Sequence, residues 1–198
     1  MGKKYVIIVD MQNDFITGSL GSEMAVRAAE NAKTHLAKYD RENTRVIFTH
    51  DTHHANYLET AEGKNLPIPH CILGTEGWEI SQVVLQGAEG LILPITVEPF
   101  AANGHVYKPT FGSLDLINYL YHISDTFLEE EIDSIDVFGV CTDICVVSNV
   151  LLLKAAFPET PINVIADCCA GTSVHAHEAA LDTMRSCQIN IMDQYDVA

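Results

Sequence analysis

Six short apolar runs alternate with longer helix-like segments along this 198-residue chain. Such alternation is typical of a parallel β-sheet, because parallel strands need a crossover segment between them. With right-handed crossovers, the pattern predicts an α/β fold with a doubly wound, mainly parallel sheet and helices on both faces. Ligands bind such sheets beyond the carboxyl ends of the strands. The predicted strands are Tyr5–Val9, Arg45–Thr49, His105–Lys108, Ile135–Val140, Asn163–Ala166 and Ile189–Met192, and the predicted helices are Ser22–Tyr39, Leu114–Ile123, Thr142–Phe157 and Val174–Cys187.

The size and charge of the chain limit the classes of protein to which it can belong. The apolar content of 47% suits one compact domain over residues 1–198. A net charge of -16 argues against nucleic-acid and anionic-membrane partners, which require clustered Lys and Arg. The stretch Ile144–Phe157 is shorter than the roughly 20 apolar residues of a bilayer crossing, and Asp10 interrupts the N-terminal apolar run early. We therefore expect a cytoplasmic protein whose six cysteines stay reduced.

Three chemically capable residues stand at the ends of predicted strands. Asp10 follows the first strand, Lys108 ends the third, and Cys145 comes shortly after the fourth. A parallel sheet would bring them to one edge, which is the arrangement of a cysteine hydrolase. Cys145 would lie in the first turn of a helix, where free N–H groups and the helix dipole favour the thiolate. Taken singly, Asp10 could merely cap a turn and Cys145 could be a small buried hydrophobe.

A second group of polar residues lies in the long segment Asp51–Pro94, which carries few strand signals. Asp51 and His53 are two residues apart, so on an extended segment they face the same side. His70 arrives after a turn-rich stretch. One Asp, two His and a further carboxylate suit a divalent transition metal, with zinc first and manganese or iron as alternatives. The other interpretation is a polar surface loop.

The chain resembles the isochorismatase-like cysteine hydrolases, a superfamily that includes the nicotinamidases. The resemblance extends over nearly the whole length. It rests on five motifs: VDMQNDF at Val9–Phe15, THDTHH at Thr49–His54, PHC at Pro69–Cys71, KPTFGS at Lys108–Ser113 and GVCTDICV at Gly139–Val146.

The resemblance implies a catalytic set of Asp10, Lys108 and Cys145. Our hypothesis is that Asp10 takes the thiol proton and later gives it to the leaving amine, while Lys108 stabilises the thiolate and the carboxylate. The backbone amides of Cys141 and Cys145 are the implied oxyanion hole. The resemblance also implies a cis peptide bond between Val140 and Cys141.

The resemblance further implies the metal ligands Asp51, His53 and His70. Relatives often supply a fourth ligand as His or Glu, and here Glu62 has the best spacing, ahead of Glu59 and then His54. The metal would hold the substrate with its amide carbonyl towards the nucleophile. Two aromatic residues are plausible walls of the substrate pocket, Phe15 and Phe111.

The predicted function is cysteine-dependent hydrolysis of a small, nicotinamide-like amide to an acid and ammonia through a thioester. Many nicotinamidases place an aromatic residue shortly before the PHC-type histidine, whereas this chain has Leu66, Pro67 and Ile68. A ureido, carbamoyl or other small acyclic amide is therefore an alternative substrate. A catalytically silent metal-binding or interaction module on the same fold is a third hypothesis. The apolar Ile144–Phe157 helix predicts a homo-oligomer, either dimer or tetramer.

Overall fold

A computed structural model describes residues 2–124 and 131–193. Its strands are β1 (Lys3–Val9), β2 (Thr44–Asp51), β3 (His105–Lys108), β4 (Ile132–Gly139), β5 (Ile162–Ile165) and β6 (Asn190–Met192). Its α-helices are α1 (Asn13–Ile16), α2 (Glu23–Leu36), α3 (Ala61–Asn65), α4 (Gln82–Gly87), α5 (Leu114–His122), α6 (Val147–Ala156) and α7 (Val174–Ser186). Shorter helical turns are the 3₁₀ segments Tyr57–Glu59, Glu76–Trp78 and Ala166–Cys168 and the π-helical turn Thr142–Val146.

The six strands form one parallel sheet in the order β3-β2-β1-β4-β5-β6. Helices α2 and α4 pack against each other, and α6 packs against both α5 and α7. Because successive crossovers run outwards in opposite directions from β1 and β4, right-handed connections place these two groups on opposite faces. The predicted α/β fold class is confirmed.

The core explains the unbroken apolar run in the central strand β1. Residues Tyr5–Val9 of β1 are all fully buried, as expected for a central strand covered on both faces. All six predicted strands and all four predicted helices exist; apart from the divided helix described next, their ends shift by at most three residues, and His105–Lys108 matches at both ends. The main difference is the predicted helix Thr142–Phe157, which is divided into the π-helical turn and α6.

The direction of the strands sets the position of the site. Val9 pairs with both Thr49 and Gly139, and Asp51 pairs with Lys108, so the carboxyl ends of β1 to β4 meet at one edge. Gly139 has φ 143, and a Cβ there would lie 2.0 Å from the Val9 carbonyl oxygen. Only glycine allows β4 to approach β1 this closely. The strand order reverses between β1 and β4, which is where open α/β sheets bind ligands.

The segment after β2 is more structured than its sequence suggested. β2 continues to Asp51, and the predicted loop region contains α3, α4 and two 3₁₀ turns. Within residues 2–124 and 131–193, no helix is long and apolar enough to cross a bilayer.

Candidate active site

Asp10 is the first residue beyond β1 and is fully buried. Its backbone is in the left-handed region, with φ 50, which Asp tolerates better than most residues. The hydroxyl of Thr49 donates a hydrogen bond of 2.6 Å to Oδ1 of Asp10. The Asp10 amide donates to the Thr49 carbonyl oxygen at 3.2 Å. Thr49 therefore fixes one carboxylate oxygen of Asp10 and leaves Oδ2 for another partner.

That other partner is Lys108, the last residue of β3. Its Nζ lies 2.5 Å from Oδ2 of Asp10 and donates to the carbonyl oxygen of Thr110 at 3.0 Å. Burial alone would lower the pKa of Lys108, but the Asp10 carboxylate outweighs this effect and the pKa is raised. Lys108 therefore carries a permanent positive charge inside the protein.

Cys145 lies in the π-helical turn Thr142–Val146 and is 5% exposed. Burial raises the pKa of this thiol well above its usual range, and the opposing effect of Lys108 is smaller. The Asp10 carboxylate is near enough to this thiol to add to the rise in its pKa. The sequence predicted that the start of a helix would favour the thiolate form of Cys145. Burial of the sulfur has the opposite effect on its pKa and is the stronger of the two. Burial also raises the pKa of Asp10, so the carboxylate is a stronger base than an ordinary one and stands ready to take the thiol proton.

The turn that carries Cys145 follows a cis peptide bond and departs from α-helical hydrogen bonding. The Val140–Cys141 peptide bond is cis, as the resemblance implied. In an α-helix the Cys145 amide would donate to the carbonyl oxygen of Cys141. That oxygen instead accepts from Ile144 at 3.1 Å and from Val146 at 3.0 Å. The role of the Cys141 and Cys145 amides stays a prediction, which this bonding pattern supports.

Asp51, His53, Glu62 and His70 form a compact group, with one ligand atom of each lying within 4.8 Å of all the others. Nε2 of His53 is 3.0 Å from Oδ2 of Asp51 and 3.6 Å from Oε1 of Glu62. Nε2 of His70 is 3.3 Å and 3.7 Å from the same two oxygens. All four residues come from the end of β2 and the segment that follows it.

The chemistry of this group fits a divalent metal. Nε2 of His53 is buried and makes no hydrogen bond of normal geometry among the described residues, although a carboxylate oxygen of Asp51 is 3.0 Å away. Burial and the nearby Asp51 raise the pKa of Glu62, since two carboxylates this close repel each other. Two imidazoles and two carboxylates that converge in this way suit zinc, manganese or iron. A cation would relieve the repulsion and use the free nitrogen.

Contacts with neighbouring residues hold these candidate metal ligands in place. Nδ1 of His70 lies 2.9 Å from the carbonyl oxygen of Ile68, which leaves Nε2 facing the group. The ring of Tyr57 packs on His53 at 4.7 Å and on His70 at 5.0 Å between centroids. The carboxamide of Gln12 accepts from the Asp51 amide and donates to the Asp51 carbonyl oxygen, both at 2.8 Å. Such outer partners orient metal ligands and fix their tautomers.

The remaining residues predicted from the sequence are two candidate pocket walls and two alternative metal ligands. The ring of Phe15 is buried and lies 5.4 Å from the ring of His70, so it borders the metal group. Phe111 is 47% exposed, and its described polar contact is through its backbone oxygen. Glu59 and His54, the alternatives to Glu62, are exposed and lie outside the metal group. The pocket role of the two phenylalanines stays a prediction.

Sequence reasoning missed several supporting residues. Thr49 and Gln12 belong to recognised motifs, and their place beside Asp51 and Asp10 was the available signal. Tyr57 and Asn149 gave weaker signals: an aromatic residue in a polar loop, and one amide inside an apolar helix. Each has one partner four residues away, but the others, His70 for Tyr57 and the segment Phe111–Ser113 for Asn149, are more distant in the sequence, and periodicity cannot reveal them.

A family model described as Isochorismatase domain matches residues 4–196. The chain belongs to this family. A curated relative, nicotinamidase/pyrazinamidase from Mycobacterium tuberculosis, is 26% identical over 194 residues, which cover 94% of this chain and 97% of the relative.

Solved structures support the same fold. The nicotinamidase/pyrazinamidase PncA from Bacillus subtilis has a TM-score of 0.76 and 22% identity, covering 96% of this chain and all of that one. The pyrazinamidase of Pyrococcus horikoshii, solved in complex with zinc, has a TM-score of 0.70 and 22% identity over 96% and 99% of the two chains. The N-carbamoylsarcosine amidase from Thermoplasma acidophilum has a TM-score of 0.67 and 18% identity over 98% of each.

Proposed function

We propose that this isochorismatase-family protein is a hydrolase of amide C–N bonds that uses Cys145 as its nucleophile. The observation that carries the proposal is a buried group of three side chains, in which Asp10 pairs with Lys108 at 2.5 Å and the charges of both act on the pKa of the Cys145 thiol. A thiol beside a base of raised pKa, and a cation beside both, are the parts that nucleophilic catalysis requires.

In the first half-reaction, the Cys145 proton moves to Asp10 while the sulfur attacks the amide carbon. The carbonyl oxygen becomes an oxyanion, and the backbone amides of Cys141 and Cys145 are the proposed donors to it. When the C–N bond breaks, the nitrogen takes the proton from Asp10 and leaves as ammonia. The acyl group remains on Cys145 as a thioester.

In the second half-reaction, Asp10 takes a proton from water, and the resulting hydroxide attacks the thioester carbon. The C–S bond breaks, the acid is released, and the thiolate recovers the proton from Asp10. Lys108 remains an ammonium throughout and compensates the negative charge that alternates between Asp10 and the sulfur. The net reaction is amide plus water to acid plus ammonia.

Asp51, His53, Glu62 and His70 are the proposed holders of a divalent metal, with zinc as the first choice. The zinc complex of the Pyrococcus horikoshii neighbour supports this choice. When bound, the metal supplies a positive charge and a Lewis-acid contact that orient the substrate. The four residues keep the cation beside the triad, since Asp51 pairs directly with Lys108 across β2 and β3.

For the substrate we propose a small, nicotinamide-like amide, supported by the Mycobacterium tuberculosis relative. Leu66, Pro67 and Ile68 offer no aromatic ring to stack on a pyridine, and Pro67 and Ile68 are exposed. This feature favours the second candidate, a carbamoyl or ureido compound, as does the similarity in fold to N-carbamoylsarcosine amidase. Small amides of both types suit a thiol that is almost fully enclosed.

We also propose that the chain forms one domain and works as a cytoplasmic homo-oligomer. The support for a homo-oligomer is the apolar surface of α6, where Leu151 is 37% exposed. The rival proposal of a catalytically silent module predicts a thiol that does not react with electrophiles.

A panel of amides tests the reaction. We expect ammonia release from nicotinamide, pyrazinamide or a carbamoyl compound, and no release by Cys145→Ala, which removes the nucleophile. Cys187→Ala is the matched control, because Cys187 lies at the end of α7 away from the triad. Full activity of Cys145→Ala on any of these amides would overturn the cysteine mechanism, and inertness of the parent towards all of them would overturn the proposed reaction.

A further inference from the structure

Asn149 is a fully buried amide in the first turn of α6, four residues after Cys145. Its Nδ2 donates to the carbonyl oxygen of Cys145 at 2.8 Å and to that of Phe111 at 3.1 Å. Its Oδ1 accepts from the amide of Ser113 at 2.9 Å. One side chain thus joins the turn that carries Cys145 to the segment Thr110–Ser113.

The segment Thr110–Ser113 also holds Lys108. The carbonyl oxygen of Thr110 accepts from Nζ of Lys108 at 3.0 Å, and the Thr110 hydroxyl donates to the carbonyl oxygen of Gly112 at 2.7 Å. Gly112 lies so close to α6 that a Cβ there would be 2.8 Å from Cδ1 of Leu152. The segment is therefore pressed against the helix and has little freedom of its own.

We propose that Asn149 is a positioning residue that sets the Cys145 turn against the segment that anchors Lys108. This inference rests on the proposed function, because it assumes that Cys145 and Lys108 act together. A buried amide is costly unless it is hydrogen-bonded, and an apolar side chain would fill the same space in this largely apolar helix. The three hydrogen bonds of Asn149 all go to backbone groups beside the triad, so its geometry is transmitted to Cys145 and Lys108.

The main test uses iodoacetamide as the probe and measures the pH dependence of Cys145 alkylation by mass spectrometry. Asn149→Leu keeps approximately the volume and removes all three hydrogen bonds. We expect the midpoint of Cys145 alkylation to move to higher pH, because Lys108 would no longer be held against the sulfur. On a substrate found with the amide panel, kcat should fall about tenfold or more while KM changes less than about threefold.

Two further variants separate positioning from simple stability. Asn149→Thr can still donate to the carbonyl oxygen four residues earlier, which is that of Cys145, but it cannot reach both Phe111 and Ser113. Its alkylation midpoint should lie between those of the parent and Asn149→Leu. Ser148→Ala is the control, because the Ser148 hydroxyl makes the same kind of bond to the Ile144 carbonyl oxygen at 2.6 Å. The Cβ and backbone of Ser148, which lie beside Gly112, are kept in this variant. Its midpoint should match that of the parent.

A folded Asn149→Leu protein with the parental alkylation midpoint would overturn the proposal. If Asn149→Leu does not fold, Asn149→Thr becomes the test. The proposal is then overturned if the alkylation midpoint of Asn149→Thr equals that of the parent. Alkylation does not depend on any amide being a substrate. Absence of amidase activity in the parent would therefore remove the proposed function while leaving this measurement decisive for the placement of Cys145.

Discussion

Nζ of Lys108 lies 2.5 Å from Oδ2 of Asp10, and the two side chains are 1% and 0% exposed. Each charge is isolated from water and depends on the other for compensation. Removing one partner leaves an unpaired charge in the interior, a change that costs about 3–5 kcal/mol in buried pairs. Lys108→Met should therefore lower the free energy of unfolding by about this amount, as measured by urea titration.

The double variant Lys108→Met with Asp10→Asn is the control for this prediction. It removes both charges, so its loss of stability should be smaller than the sum of the two single losses. It should nevertheless have no amidase activity, since both the base and the cation are gone. Additive losses would contradict a direct coupling between the two side chains.

The pH profile should report the raised pKa of Asp10. Burial is the main cause of this increase, and the hydrogen bond from Thr49 opposes it. Because the base must be ionised, activity should disappear as the pH falls through this raised pKa, above the ordinary carboxyl value of about 4. Thr49→Val removes the opposing hydrogen bond and should move the acid limb of kcat/KM to higher pH. A limb at the ordinary carboxyl value in both proteins would contradict Asp10 as the base.

The sequence predicted the sheet because strands covered on both faces read as apolar runs, and β1 shows this pattern clearly. It also placed Asp10, Lys108 and Cys145 at one edge, since strand ends follow from the runs. It could not predict the protonation of Cys145. Helix position favours the thiolate, but the depth of burial reverses the effect, and burial depends on how the Thr142–Val146 turn packs in three dimensions.

The metal group illustrates the same limit. The spacing of Asp51 and His53 on an extended segment was readable, and the structure brings His70 to them. The sequence could not decide between Glu62 and Glu59, because both lie a few residues after His53 in the same short region. In the structure Glu62 lies in the first turn of α3 and belongs to the group, whereas Glu59 ends a 3₁₀ turn and is exposed.

Glu62→Gln and Glu59→Gln form a matched pair for the metal. Glu62→Gln removes a charged ligand, so its affinity for zinc should fall about 10–100-fold. Glu59→Gln should bind zinc as the parent does. Zinc content of protein purified without an affinity tag, followed by competition with a chelator, measures both. Equal affinities in all three proteins would exclude Glu62 as a ligand.

Gln12 should affect the zinc affinity of the metal group by orienting Asp51, although it is not itself one of the four proposed ligands. Its carboxamide bonds both backbone groups of Asp51 and also donates to the carbonyl oxygen of Trp78 at 2.8 Å. Gln12→Leu leaves these buried groups unpaired at a cost of about 1–3 kcal/mol for each, so the melting temperature should fall. Zinc affinity should fall about tenfold, because Asp51 loses the contacts that orient it. Asn13→Leu is the control, since among the residues the structure describes the side-chain amide of Asn13 bonds only the carbonyl oxygen of Glu76, which is exposed. Parental zinc affinity in a folded Gln12→Leu protein would show that the strand itself suffices to orient Asp51.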